Sequence, residues 1–132
     1  MSKEINNKDF VAWHELKAKI DAKVNLADIK QGQIWWCILG ANIGHEEDGK
    51  GEKFSRPVLV VRKFNRNLFW GVPLSTQIKD KFHYHKITFH GKTQSAMLSQ
   101  LKLYSTKRLT AKMGQLEDDE LERIKGILRG MI

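Results

Sequence analysis

Four residues in the middle of the chain carry the side chains that chemistry at a phosphodiester requires. His45 and Glu46 lie in a polar, glycine-rich loop, Arg56 precedes a proline, and Ser75 follows the run 72–74. A histidine or a carboxylate can take the proton of a ribose 2′-hydroxyl, and an arginine can stabilise charge on phosphate oxygens. A serine hydroxyl can add a neutral hydrogen bond. These residue types therefore indicate a candidate site that would need no metal ion.

Simpler structural interpretations of the same residues stay open on the sequence alone. Residues 45–46 could belong to a solvated loop, and Arg56 could be an exposed charge at the start of a strand. Ser75 and Thr76 could cap a short turn toward Ile78. Each candidate residue therefore has both a structural and a functional interpretation.

Positive charge is concentrated in the part of the chain that holds these residues. The 132 residues carry a net charge of +8, and residues 50–112 hold 14 Lys or Arg against two acidic residues, a balance of +12. The rest of the chain has a balance of −4. The natural partner of the middle of the chain is therefore a polyanion, although a basic surface that only keeps the protein soluble would have the same composition.

Short β-rich runs should position the candidate residues. Apolar runs separated by turn signals predict strands at 33–39, 57–64, 68–73, 83–89 and 95–104. Five closely spaced strands indicate a small, strongly curved sheet or barrel. The length and composition are those of one domain with one ordinary core.

Two amphipathic helices are predicted outside the strands. Apolar residues at helical spacing after an asparagine cap indicate a helix over residues 8–24. Residues 117–131 place apolar side chains on one face and acidic residues in the first turn, where the helix dipole favours negative charge. We therefore predict a mainly β protein with helices (α+β), divided into an N-terminal helical extension (1–30) and a barrel domain (31–132).

The remaining features exclude several classes of protein. No apolar run is long enough to cross a membrane and no signal peptide is recognisable, so we expect a cytoplasmic location and no membrane partner. Cys37 is the only cysteine, which rules out an internal disulfide, and its apolar surroundings predict a buried strand residue. His83 and His85 share a strand face without further ligands, so we predict no metal and no cofactor.

An ordered set of motifs resembles the MazF/PemK family of toxin endoribonucleases. Residues 32–35 are similar to the start of the family's first strand, 44–49 to its glycine-glutamate loop, and 56–60 to its Arg-Pro-Val run. Residues 72–76 are similar to its Val-Pro-Leu-Thr/Ser run, and 99–102 to its Asp-Gln-Ile/Val-Arg/Lys run. No single match is specific, but the ordered set covers most of the chain.

The resemblance implies a fold, an activity and partners. The fold is a compact β-barrel related to SH3-like and CcdB-type folds, usually a homodimer. The activity is metal-independent, sequence-preferring cleavage of single-stranded RNA, which a small antitoxin protein silences. The implied catalytic residues are Arg56, Ser75, Glu46 and His45. We expect RNA contacts from Thr76, Lys79, Gln100, Lys102, Lys50 and Lys53.

The chain departs from the family pattern at three places. Residues 51–55 lengthen the loop, Ser99 replaces an acidic residue before Gln100, and the first 30 residues have no counterpart. Two other interpretations therefore stay open. One is a catalytically silent nucleic-acid-binding barrel. The other is a CcdB-like toxin that binds a protein target such as gyrase, which would not need the Arg-Pro loop or the basic middle.

Overall fold

Seven strands and a C-terminal helix make up the framework of the protein in a computed structural model. The structure describes residues 12–14, 16–17, 20, 27–39, 55–81 and 83–132. The strands are β1 (Gln33–Ile38), β2 (Ser55–Lys63), β3 (Leu68–Ser75), β4 (Tyr84–Phe89), β5 (Lys92–Met97), β6 (Lys102–Ser105) and β7 (Leu109–Gln115). The C-terminal helix is Asp118–Met131, and short 3₁₀ turns occupy Leu98–Gln100 and Thr106–Arg108.

Strand β3 is the centre of the sheet. The strands pair antiparallel in the order β4-β5-β3-β2-β1-β7, and β6 also pairs with β3. One edge of β3 is covered by β2. The other edge pairs first with β6, where Gly71 lies opposite Lys102, and then with β5, where Leu74 lies opposite Ala96. The sheet therefore divides part-way along β3 and curls into a half-barrel.

Both faces of the central sheet are buried. Residues 58–61 of β2 are four consecutive buried residues. Since successive strand residues point to opposite faces, both faces of the sheet must be covered at this strand. One face packs against the C-terminal helix through Ile34, Leu59, Val61, Val72, Leu74, Ile124 and Leu128. The other face forms a second core with Cys37, Val58, Val60, Phe69, Tyr104 and Leu109. Full burial of such side chains contributes about 1.5–3 kcal/mol each.

The thiol of Cys37 lies in the second of these cores and is fully buried. Burial raises its pKa to about 12, because a thiolate there would lose its hydration; the positive charges of Arg108 and Lys102 oppose this rise only in part. The group therefore stays a neutral thiol at physiological pH. The prediction of a buried strand cysteine is confirmed.

The predicted strands and C-terminal helix agree with the structure except between residues 92 and 115. The C-terminal helix and the first four strands begin and end within two residues of their predicted bounds. The single strand predicted at 95–104 is wrong, since β5 ends at Met97 and β6 begins only after a 3₁₀ turn. Strand β7 was not predicted. It is an edge strand with mostly exposed residues, so its sequence lacks the apolar alternation that indicates a strand.

Helical backbone is also present where the N-terminal helix is predicted. The described residues between 12 and 20 are helical, and Trp13, Leu16 and Ile20 are half-buried whereas the other described residues there are exposed. The guanidinium carbon of Arg108 lies 5.2 Å from the centroid of the Trp13 ring, within cation–π distance. The division into an extension and a barrel domain stays a prediction. Within the described ranges, no helix is long and apolar enough to span a membrane.

Gly71 occupies a position at which the sheet has no room for a side chain. An added Cβ would lie 2.6 Å from Cγ1 of Val58, 2.9 Å from a ring carbon of Phe69 and 3.1 Å from the carbonyl oxygen of Leu59. We predict that Gly71→Ala lowers the free energy of unfolding by about 1–3 kcal/mol, as overpacked cores do. A urea titration followed by circular dichroism measures this change.

The matched control is Gly126→Ala in the C-terminal helix. Gly126 is exposed, and an added Cβ there would meet none of the surrounding atoms within 4 Å. Alanine should therefore raise the free energy of unfolding by about 0.5–1 kcal/mol through helix propensity. Equal stability of Gly71→Ala and the wild type would contradict the close approach at Gly71.

Candidate functional site

Arg56 lies near the start of β2, opposite Cys37 of β1. Only 4% of its surface is exposed, so the prediction of an exposed charge at a strand start is wrong. Its Nη1 donates a hydrogen bond of 2.9 Å to the carbonyl oxygen of Leu74 on β3. A backbone carbonyl therefore orients the guanidinium between two paired strands.

The pairing of β2 with β3 brings Ser75 to the same end of the sheet. Val58 lies opposite Pro73, so Arg56, two residues earlier, is level with Ser75, two residues later on the antiparallel strand. The hydrogen bond from Arg56 to the carbonyl directly before Ser75 agrees with this register. Two motifs that are separate in the sequence are thus brought together by one strand pair.

The hydroxyl of Ser75 has a structural role as well. Its Oγ accepts a hydrogen bond of 3.1 Å from the backbone N–H of Gln77, and the residue is 7% exposed. The turn-capping interpretation is therefore confirmed for Ser75. Because a hydroxyl can accept and donate at once, its proton can still serve another acceptor. Thr76, the next residue, is exposed.

A cavity of about 540 Å³ opens beside Arg56. It lies within the size range of small-molecule and cofactor sites. Its described walls comprise Trp36, Ser55, Arg56, Pro57, Leu74, Thr76, Lys92, Thr93, Gln94 and Met113. Among these described residues two are cationic and none is acidic. The cavity therefore suits an anionic ligand with an apolar or aromatic part.

Sequence reasoning missed several residues of this cavity, among them Trp36, Lys92 and Gln94. Trp36 is 38% exposed, although most of the other residues of β1 are buried. Lys92 and Gln94 belong to β5. Lys92 pairs with Phe89 and Gln94 with Ile87, which are buried core residues, so both polar side chains lie on the inner face of the β4–β5 hairpin. Polar residues at inward strand positions were the available signal, but recognising them requires the strand register.

Comparison with known proteins identifies the family to which these motifs belong. Residues 30–132 match the family model described as PemK-like, MazF-like toxin of type II toxin-antitoxin system. The chain belongs to this toxin family. The resemblance read from the motifs is therefore confirmed. No curated protein sequence matches the chain.

Two solved structures have the same fold as this family member. MazF from Deinococcus radiodurans, in crystal form I, is 18% identical with a TM-score of 0.62, over 82% of this chain and 97% of that chain. An endoribonuclease in complex with its cognate antitoxin, from a mycobacterial species, is 14% identical with a TM-score of 0.58, over 77% of this chain and 92% of that chain. The predicted mainly β fold with a curled sheet and a C-terminal helix is confirmed.

The other residues predicted to bind RNA do not line the cavity or are not described. Lys79 Nζ lies 5.2 Å from the centroid of the Tyr84 ring. Lys102 is opposite Gly71, four residues from Ser75 along β3, and Gln100 lies in the 3₁₀ turn after β5. Outside the described residues lie His45, Glu46, Lys50 and Lys53. Thr76 is the predicted contact that does reach the cavity.

The two histidines near β4 are engaged by neighbouring side chains. Nδ1 of His83 is 3.3 Å from Oγ of Ser99, and Nε2 of His85 is 3.1 Å from Oε1 of Glu120 at the start of the C-terminal helix. In the described part of the chain, no three His, Cys, Asp or Glu side chains are grouped to hold a metal. The serine at the family's acidic position thus lies beside an imidazole.

Proposed function

We propose that this family member is a toxin endoribonuclease that cleaves single-stranded RNA without a metal ion. The observation that carries the proposal is the buried guanidinium of Arg56, which the carbonyl of Leu74 orients at the wall of a cavity. A guanidinium stays protonated in proteins, and its planar fork matches two phosphate oxygens. The endoribonuclease among the structural neighbours supports the reaction class.

The proposed reaction is attack of the ribose 2′-oxygen on the adjacent phosphorus. Arg56 stabilises the negative charge that develops on the phosphorane oxygens, and the hydroxyls of Ser75 and Thr76 donate neutral hydrogen bonds. Glu46 or His45 takes the 2′-hydroxyl proton, and the protonated partner gives a proton to the departing 5′-oxygen. The P–O5′ bond breaks, which leaves a 2′,3′-cyclic phosphate upstream and a 5′-hydroxyl downstream.

The proposal includes a small antitoxin as inhibitor. The mycobacterial neighbour was solved with its cognate antitoxin, and this chain belongs to a toxin family of toxin-antitoxin systems. The balance of +12 over residues 50–112 would attract an acidic polypeptide as well as RNA. An antitoxin that covers the cavity would therefore compete with the substrate for the same positive charge.

An exposed apolar patch supports a second protein partner, another copy of the chain. Trp70 is 41% exposed and Leu103 is 52% exposed, and the two lie directly opposite each other on β3 and β6. The ring of Phe64 meets Trp70 edge-on, with centroids 4.9 Å apart. Clustered apolar exposure of this kind marks interaction surfaces, and one patch can pair with itself about a two-fold axis. We therefore propose a homodimer through this patch.

The reaction chemistry is tested by the ends that cleavage leaves. We predict that the purified protein cuts a single-stranded RNA in EDTA and that mass spectrometry finds a 2′,3′-cyclic phosphate on the upstream fragment. A substrate with one 2′-deoxyribose at the cut nucleotide is the matched control, and it should resist cleavage because the nucleophile is absent. A requirement for magnesium, or ends that carry only 5′-phosphate, would reject this mechanism.

The role of Arg56 is tested by Arg56→Met, which keeps an unbranched apolar stem and removes the guanidinium and its charge. We predict that kcat/KM per folded molecule falls by about 10² to 10³, the usual cost of losing a donor that stabilises a transition-state oxyanion. Arg56→Lys should be intermediate, because it keeps a charge without the planar fork. Stopped assays on a fluorescent RNA measure the rates.

Stability must be followed in the same variants, since Arg56 is buried. Loss of its hydrogen bond to Leu74 should lower the free energy of unfolding by about 1–3 kcal/mol, so rates are compared well below the unfolding transition. The control is Arg66→Met, which removes an exposed arginine from the turn between β2 and β3. Near wild-type turnover of folded Arg56→Met would show that the proposed site is wrong.

The dimer is tested by Trp70→Asp, which places a charge in the centre of the apolar patch. We predict that light scattering after size-exclusion chromatography gives a dimer mass for the wild type and a monomer mass for this variant. Ile78→Asp is the control, because Ile78 is 47% exposed but is not a neighbour of Trp70 in the sheet. A wild-type monomer at micromolar concentration, or a dimeric Trp70→Asp, would exclude this interface.

A further inference from the structure

A polar contact joins the β4–β5 hairpin to the C-terminal helix. Nε2 of His85 on β4 lies 3.1 Å from Oε1 of Glu120, which is in the first turn of the helix. An ionised carboxylate can only accept hydrogen bonds, so Nε2 carries the hydrogen and donates it. The other carboxylate oxygen, Oε2, accepts a hydrogen bond from Nη1 of Arg123. Both oxygens of Glu120 are thus engaged, and we call the contact between His85 and Glu120 the clamp.

The clamp is largely shielded from solvent. The side chain of His85 is 20% exposed and that of Glu120 is 22% exposed. Ile87, two residues after His85 on the same strand face, and Ile124, one helical turn after Glu120, belong to the core beneath the helix. Contacts between fully exposed charges contribute little because water and salt screen them, whereas a shielded contact is stronger. The clamp can therefore hold the hairpin in one position.

The clamp lies level with the junction between the hairpin and the central sheet. His85 is opposite Ala96 of β5, and Ala96 is opposite Leu74 of β3. In the described part of the chain, the ladder that joins β3 to β5 consists of two residue pairs, Leu74 with Ala96 and Ser75 with Ser95. A two-stranded hairpin has little stability of its own, so its position depends on the side chains beneath it. The clamp supplies one of these restraints at the junction itself.

The two cations among the described cavity walls depend on different parts of the fold. Arg56 lies on β2, which pairs with β1 on one side and β3 on the other, and the carbonyl of Leu74 orients it. Lys92 begins β5 at the far end of the hairpin, opposite Phe89, and lines the same cavity. The central sheet therefore fixes Arg56, whereas the position of Lys92 relative to Arg56 depends on how the hairpin is held.

We infer that His85 and Glu120 are positioning residues, which hold Lys92 at the cavity where it contacts a phosphate of the bound RNA strand. The inference rests on the proposed function, in which Arg56 stabilises the phosphate that is cut. Lys92 contacts a neighbouring phosphate, whose charge is the same in the ground state and in the transition state. Loss of the clamp therefore removes uniform binding, which raises KM and leaves kcat near the wild-type value.

The clamp and net charge alone predict opposite effects of the same substitution. Glu120→Leu removes a negative charge, which by itself would strengthen the binding of a polyanion. If the clamp positions Lys92, Glu120→Leu instead weakens binding. The matched control is Glu122→Leu, because it removes a carboxylate from the same helix, where Glu122 lies 3.7 Å from Lys125. This control should bind RNA as tightly as the wild type or slightly more tightly.

The experiment measures kcat and KM on a fluorescent RNA and Kd for an uncleavable 2′-O-methyl oligonucleotide, for the full chain at one fixed salt concentration. Lys92→Met should raise Kd and KM about tenfold, the lower limit for a lost charge-assisted hydrogen bond. Glu120→Leu and His85→Phe should each raise both constants by a smaller factor, about threefold to fivefold, because a displaced Lys92 keeps its charge. Glu120→Gln keeps an acceptor and His85→Gln keeps a donor, so both should retain the wild-type constants.

The route through Lys92 is tested by combining substitutions. Glu120→Leu in a Lys92→Met background should bind no more weakly than Lys92→Met alone, because both changes act on the same contact. Hydrogen exchange in the absence of RNA provides a second readout. Glu120→Leu should speed exchange of the β4–β5 amides and leave the β1–β2 amides unchanged, since the hairpin alone is released. Additive losses in the double variant, or unchanged exchange in the hairpin, would overturn the clamp.

The outcomes separate the clamp from the reaction. Thermal melts identify any variant that fails to fold, and the variant on the other side of the clamp then carries the test. Unchanged Kd and KM in Glu120→Leu and His85→Phe, with RNA cleaved by the wild type, would overturn the clamp while the proposed function stands. Binding that depends on the clamp, without cleavage by the wild type, would overturn the proposed reaction while the clamp stands. Equal losses in Glu120→Gln and Glu120→Leu would show that charge matters rather than the contact, and a wild type that binds no RNA would overturn both proposals.

Discussion

The division of strand β3 between two partners is the constraint on which the rest of the structure depends. Its first half pairs with β6 and its last residues pair with β5, and Val72 and Pro73 fall between the two ladders. A proline has no N–H to donate to a ladder, which is compatible with this interval. Gly71 directly precedes this interval, and because it has no side chain the backbone there packs closely against Val58 and Phe69. The β4–β5 hairpin therefore lies over the face of the sheet and forms a wall of the cavity.

The C-terminal helix explains why only part of that face is open. Leu121, Ile124 and Leu128 cover the sheet with the apolar stripe of the helix, and the carboxylate of Glu120 contacts His85 on the hairpin. Hairpin and helix are thus fixed to each other as well as to the sheet. The face is left uncovered around Trp36, where the cavity forms, and around Trp70, where the apolar patch lies.

The sequence predicted the regular parts of this arrangement because their signals are local. The terminal helix follows from its apolar stripe and acidic first turn, and strands β1 to β4 follow from apolar runs between turn residues. Strand β7 could not be predicted in this way. Among the strands that the structure describes it pairs only with β1, through a ladder with two irregularities, and most of its side chains face solvent. An edge strand of this kind lacks the alternation that a half-buried strand shows.

The candidate site likewise has residues that local sequence motifs predict and residues that only the strand pairing reveals. Arg56 and Ser75 were predicted as site residues from motifs, and their roles stay predictions. The burial of Arg56 could not be predicted in this way, because it involves the carbonyl of Leu74 on another strand. Trp36 could not be distinguished from its neighbour Trp35 by residue type. The inward position of Gln94 depends on its pairing with Ile87 across the hairpin. Register and tertiary contacts therefore supplied the part of the site that the sequence did not show.

The buried thiol has a consequence for the conditions under which the protein can act. The single cysteine is buried and stays protonated, so the folded state offers no thiolate to attack peroxide or a disulfide. No disulfide is available to form or to break. Oxidation or exchange at a cysteine is therefore not a route by which the redox state of the surroundings would alter this fold.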